Sequence, residues 1–208
     1  MKITNNEQRR EELERIREIL VTVDMVNGFV KEGALAAPSI MRIVERQQEL
    51  LQKYEDGKDT ANVFVRDVHE EDSVEFKTFG RHCVRGTGEE LIIPELEKWY
   101  VNGFDFEKNS TNFVIAPGVI EFLLSLPNLE SVKYIGCLSE ICVKNAGITS
   151  RNLFDQYNRD VEVGVFVDAI DTFDAPGHHA DEVTERALQD MEANGVKIYR
   201  KEMMRKGD

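Results

Sequence analysis

The chain has 208 residues, 41% hydrophobic and 31% charged, and its 39 acidic side chains against 26 basic ones give a formal net charge of −13. That length suits one α/β domain with at most a small appendage, and it is enough to bury a substantial core. The acidic balance argues against a nucleic-acid or anionic-membrane partner, whose phosphates would be repelled, and points to chemistry on a small molecule.

The opening "MKITNNEQRREELERIREIL" is charged throughout and lacks an apolar signal core. No stretch approaches the ~20 apolar residues of a membrane helix, so the expected compartment is the cytoplasm. Leu13, Ile16 and Leu20 stand at helical spacing. They predict an amphipathic helix over 6–18, within an extension (1–18) ahead of the main domain (19–208). Its apolar face is expected to pack on its own domain or against another subunit, so a homo-oligomer stays open.

"ILVTVD" (19–24) is short and rich in branched residues, which predicts a buried parallel strand. "PSIMRIVERQQELLQKYEDG" follows two glycines and reads as a helix, with Ile40, Ile43, Val44, Leu51 and Tyr54 on one face and Gly57 at its end. "TANVFVRD" (60–67) is the second strand. The polar segment 68–103 shows only a short helical stretch near "PELEKWY". "DFEKN" (105–109) is a weak strand, and "PGVIEFLLSL" a helix opened by Pro117. "SVKYIG" (131–136) is a strand and "EICVKNAGITSRNLFDQY" a helix. "VEVGVFVDA", "HADEVTERALQDMEANG" and "VKIY" read as strand, helix and strand. Strands alternating with helices predict a parallel sheet covered on both faces. Ligands of such sheets bind beyond the carboxyl ends of the strands.

Four residues stand at those ends: Asp24, Asp67, Lys108 and Cys142. A thiol needs a base or a positive neighbour to act as a nucleophile. Asp24 suits the proton shuttle, Lys108 the charge partner and Cys142 the nucleophile, an Asp–Lys–Cys acyl-transfer set without histidine. Backbone N–H groups at the strand-to-helix turn suit an oxyanion. "DVHEEDSVEFKTFGRH" gathers Asp67, His69, Glu75 and His82. Nitrogen and carboxylate donors suit Zn²⁺, Fe²⁺ or Mn²⁺ rather than Cu(I) or an iron–sulfur cluster. From spacing alone, a metal site and a polar surface loop both remain open.

Three cysteines, an odd number, argue against a disulfide framework. Cys137 and Cys142 lie five apart across a turn, a poor placement for a bridge, and Cys83 reads as a packed thiol. "GTGEE" (86–90) lacks the Gly-Lys-Ser of a phosphate loop. Asn109-Ser110-Thr111 fits a glycosylation acceptor, irrelevant in the cytoplasm. His178 and His179 precede a helix and read as capping or surface residues.

"VDMVNGFVKEGAL", "EKNSTNF", "GRHCVRGTG" and "GCLSEICVKNAG" resemble the isochorismatase-like cysteine hydrolases and, within them, the nicotinamidases. The resemblance runs over nearly the whole chain after residue 18. It implies a three-layer α/β/α domain with a six-stranded parallel sheet. It also implies hydrolysis of nicotinamide to nicotinate and ammonia through a cysteine thioester, feeding NAD salvage. The triad carries over to Asp24, Lys108 and Cys142, and the ligands of one divalent metal to Asp67, His69, Glu75 and His82. Zn²⁺ is the leading expectation, with Fe²⁺ or Mn²⁺ as alternatives. Phe29 and Phe79 would sandwich the pyridine ring. A cis peptide is expected at Cys137–Leu138, with the N–H groups of Leu138 and Cys142 as the oxyanion hole. The chain departs from the family pattern at Ser139-Glu140, where Thr-Asp is common, and at Val26 and Gly28, where Gln and Asp are frequent. Three rivals are an amidase of the same superfamily acting on a pyrazinamide-like or carbamoyl compound, a non-catalytic binding protein, and a redox or metal sensor using Cys137 and Cys142.

Overall fold

The computed structural model describes residues 6–200. The outer ends of the expected extension and domain, residues 1–5 and 201–208, lie outside the described residues. In chain order the elements are α1 (Asn6–Arg15), β1 (Glu18–Val23), α2 (Asn27–Val30), α3 (Val44–Asp56), β2 (Thr60–Asp67), α4 (Phe76–Phe79), α5 (Glu97–Tyr100) and β3 (Phe104–Lys108). They continue with α6 (Val119–Ser125), β4 (Ser131–Cys137), α7 (Lys144–Gln156), β5 (Glu162–Asp171), α8 (Ala180–Ala193) and β6 (Lys197–Tyr199).

The six strands form one parallel sheet in the order β3-β2-β1-β4-β5-β6. Alternation along each strand separates two cores. Ile19, Val21 and Val23 of β1, with Val63 and Val65 of β2, enter one core together with α6, α7 and α8. Leu20 and Phe64 enter the other, against α3 and Trp99. This is the three-layer α/β/α architecture predicted from the alternating pattern. Each fully buried aliphatic or aromatic side chain contributes roughly 1.5–3 kcal/mol.

The differences from the sequence reading have local causes. The first helix ends at Arg15 rather than residue 18, because Arg17 and Glu18 donate their N–H groups to Asp59 and open the sheet. Leu20 lies in mid-strand in the opposite core from Ile16, so its helical spacing is coincidental. Leu13 packs against the first core of its own domain. The helix predicted from Pro38 opens as a 3-10 turn, Pro38–Ile43, before α3. The polar segment contains α4, one turn that leaves no readable period. The helix predicted from Glu140 begins instead as a π-helical turn, Ser139–Val143, ahead of α7.

The sheet order places Lys108, Asp67, Asp24 and Cys142 at the carboxyl ends of, or just beyond, four consecutive strands. One glycine makes that closeness possible. Gly136 has φ 119, and a Cβ there would meet the Val23 carbonyl oxygen at 2.0 Å. Gly136→Ala is therefore expected to destabilise the protein by ~3 kcal/mol or more, the range of substitutions that force backbone apart. Urea unfolding of the purified variant measures it, and a midpoint equal to that of the parent protein would contradict the account.

Candidate active site

Asp67 and Lys108 are register partners, each the last residue of its strand. Both leave the sheet on the face of Val65 and Phe106, so pairing follows from alternation. Lys108 Nζ lies 2.7 Å from Asp67 Oδ1 and 2.9 Å from Asp24 Oδ2. Asp24 follows β1 with φ 53, a left-handed conformation that Asp tolerates better than most side chains. All three groups are at most 1% exposed. The Cys142 thiol is close enough to the Asp24 carboxylate to feel its charge.

The electrostatics distinguish the four groups. Burial pushes Asp24 up to about 6, helped by the Asp67 charge and opposed by Lys108. Burial would also raise Asp67, but the Lys108 charge holds it well below the carboxylate range. Burial works against the Lys108 charge, yet the Asp24 and Asp67 carboxylates keep its pKa well above the ordinary lysine value. Burial raises Cys142 well above an ordinary thiol, with Lys108 pulling the other way. At rest, then, a thiol faces a carboxylate poised to take its proton.

The second oxygen of Asp67 serves a different group. Oδ2 lies 2.9 Å from His69 Nε2 and 3.0 Å from His82 Nε2, and the two ring nitrogens are 3.2 Å apart. His69 Nδ1–H donates to Asn109 Oδ1, whose oxygen also receives the Ser73 hydroxyl at 2.9 Å. His82 Nδ1–H donates to the Gly80 carbonyl at 2.8 Å. With each ring proton held on Nδ1, both Nε2 lone pairs point at each other and at a carboxylate. Three convergent acceptors of this kind fit a divalent cation. Burial would lower His69, but Asp67 beside it raises it, the same field that attracts a cation.

Glu75, the fourth expected ligand, is not within that cluster. It precedes α4 and lines the adjoining cavity, where burial and the Asp67 charge raise its carboxyl. The cavity is lined by Asp67 and His82 together with Cys142 and Leu138. Phe29 and Phe79 line it as well. Phe29 is buried with its ring centroid 5.5 Å from that of His82, whereas Phe79 is 37% exposed. The sequence reading missed Thr111 and Ile141, which line the same space. It also missed Phe76, whose ring packs edge-on against both histidines, at 5.2 and 5.7 Å. Alternating spacing within 74–79 carries no signal for it.

The turn bearing the thiol has the expected cis peptide between Cys137 and Leu138. The Leu138 carbonyl receives the N–H groups of Ile141 and Val143, passing over that of Cys142 between them. Leu138 N–H donates to no other group among the described residues. Cys137 directs its sulfur to the Asp24 carbonyl at 3.2 Å, and Cys83 is a fully buried thiol. His179 precedes α8 without a side-chain cap, and His178 pairs with Glu140.

The isochorismatase domain model matches residues 18–201. The chain belongs to the isochorismatase family. Solved structures of similar fold include a pyrazinamidase of Pyrococcus horikoshii in complex with zinc, at 26% identity and TM-score 0.68, covering 88% of this chain and 99% of that one. A pyrazinamidase/nicotinamidase of Streptococcus mutans matches at 22% identity and TM-score 0.73, covering 88% and 99%. An N-carbamoylsarcosine amidase of Thermoplasma acidophilum matches at 23% identity and TM-score 0.69, covering 89% and 96%. A search of curated proteins finds no match. Within the isochorismatase family, then, similar folds carry amidase names with different amides. No helix among the described residues is long and apolar enough to cross a membrane.

Proposed function

We propose that this protein is a metal-dependent cysteine amidohydrolase that converts nicotinamide to nicotinate and ammonia in the cytoplasm, supplying NAD salvage. The observation that carries the reading is one small, partly aromatic cavity lined by Cys142 together with Asp67 and His82, two of the three clustered donors Asp67, His69 and His82. A pyridine carboxamide has a ring nitrogen for the donor cluster and a carbonyl carbon for the thiol. Asp67, His69 and His82 would hold the cation, with Glu75 beside them. Zinc, the ion named for the Pyrococcus horikoshii structure, is the proposed metal, with Fe²⁺ or Mn²⁺ as alternatives. When bound, the cation supplies a Lewis-acid anchor for the ring.

The chain's own groups perform the chemistry. Asp24 takes the thiol proton as Cys142 Sγ attacks the carboxamide carbon. The carbonyl oxygen gains the electron pair and is met by the N–H groups of Leu138 and Cys142. Collapse of this adduct breaks the C–N bond, and Asp24 returns the proton to the leaving ammonia. A nicotinoyl thioester remains. Water attacks it, losing one proton to Asp24; the C–S bond breaks, Asp24 returns that proton to the sulfur, and the released nicotinic acid loses its own proton to solvent as nicotinate. Lys108 offsets the negative charge of Asp24 and of the thiolate throughout. Phe29 and Phe79 flank the ring.

Ammonia release from nicotinamide, with and without a chelator, tests the proposal against a panel that includes carbamoyl amides. Turnover of nicotinamide that chelation abolishes and zinc restores is expected. Turnover of another amide with none of nicotinamide would refute the substrate. The pH dependence follows from Asp24, which must be ionised to accept a proton. On the free protein, kcat/KM should rise through an apparent pKa of about 6. A profile that falls as pH rises across this range would exclude Asp24 as the base. The stability sign is opposite. Burial raises Asp24 above the ordinary aspartate range, so its contribution favours the fold in acid and is lost as pH rises through about 6.

A further inference from the structure

The turn that carries Leu138 and Cys142 is held from behind by groups outside the triad and the metal donors. Ser139, fully buried, exchanges a hydrogen bond of 2.7 Å with Thr184 of α8. Glu140 sits midway between Leu138 and Cys142. Its Oε1 accepts from the Thr172 hydroxyl at 2.9 Å and lies 3.1 Å from His178 Nε2. Its Oε2 accepts from Ser139 at 3.3 Å. His178 is itself fixed. Its ring stacks on Phe173 at 4.0 Å and 3°, with Nδ1 3.0 Å from the Phe173 carbonyl. Ala175 and His178 exchange backbone hydrogen bonds, closing the segment on itself. Thr172, Phe173 and His178 all belong to the connection between β5 and α8.

We infer that Glu140 and His178 are positioning residues: a strut from the β5–α8 connection that sets where the Leu138 and Cys142 N–H groups point. The inference rests on the proposal that Cys142 forms a tetrahedral adduct whose oxygen these groups meet. A carboxylate gripped from two sides cannot rotate with the turn, so the two donors stay aimed without substrate present. Preorganised donors contribute most when nothing must reorient at the moment of reaction. The strut does not touch Asp24 or Lys108, so it should affect the oxyanion and leave thiol activation alone.

The test compares Glu140→Ala and His178→Ala with the parent protein. Backbone hydrogen exchange of a peptide spanning 137–143 reads the turn directly, whatever the substrate, and should be faster in both variants. On whichever amide the parent cleaves, kcat should fall on the order of 10- to 100-fold, the cost of a small misplacement of donors, with KM unchanged. Alkylation of Cys142 by iodoacetamide, which builds no oxyanion, should keep its parent rate. Glu140→Gln retains an oxygen for Thr172 and His178 and should retain most of kcat. Thr172→Val supplies the same readings should Glu140→Ala not fold. Unchanged exchange in the turn overturns the inference, as does alkylation falling in step with kcat. A parent protein that cleaves no amide counts against the proposed function alone, because the exchange comparison still decides the strut.

Discussion

Cys142→Ala should abolish ammonia release from nicotinamide, by a factor of ~10⁴ or more, the scale of nucleophile removal in enzymes that form acyl intermediates. No other thiol can take over. Cys137 aims its sulfur at the Asp24 carbonyl, and Cys83 is buried with its pKa pushed up by burial. The cation donors are Asp67, His69 and His82, so metal content should be unchanged. The paired measurement matters. Lost turnover with full metal assigns the defect to the nucleophile, whereas lost metal would assign it to misfolding of the site. Turnover near that of the parent protein would remove Cys142 from the mechanism.

Lys108→Met should cost both stability and rate. The substitution keeps the length of the buried stem but leaves Asp24 and Asp67 without their shared cation. Removing one partner of a buried ion pair costs ~3–5 kcal/mol, because the remaining charge is left uncompensated. For a chain of this size that is a fall in Tm of roughly 6–20 °C. Calorimetry or denaturant unfolding measures it. The same variant should lose activity, since nothing then offsets the thiolate or the ionised Asp24. A melting point within a degree or two of the parent's would show that the Lys108 charge is not what holds the two carboxylates together.

The strands were legible because a parallel sheet buried on both faces needs unbroken branched runs, as in "ILVTVD" and "TANVFVRD". Their order put Asp24, Asp67, Lys108 and Cys142 at one edge, which the spacing of strand ends could suggest without contacts. Other parts left no pattern. The single turn of α4 is shorter than one hydrophobic period, so Phe76 could not be seen to face His69 and His82. Thr111 and Ile141 reach the cavity by the path of the chain, with no residue-type signal. Leu20 misled because three and four residues separate Leu13, Ile16 and Leu20 whether or not a helix continues. His178 read as a capping residue, and its role toward Glu140 depends on a contact 38 positions away.

The pairing of β2 with β3 has a consequence for folding fidelity. Asp67 opposes Lys108 on one face, while on the other Arg66 grips Asp105 at 2.7 Å and reaches Glu107 at 3.0 Å. A slip of one residue would turn the partners to opposite faces, because side chains alternate with a period of two. Such a chain could still bury the valines of β2, but it would turn Phe104 and Phe106 of β3 away from the first core. The two sets of charges would reject it together, one left unpaired in the interior and the other at the half-exposed edge. The residues proposed to perform the hydrolysis thus also check strand registry, and a molecule able to turn over substrate is one whose edge strand has been threaded correctly.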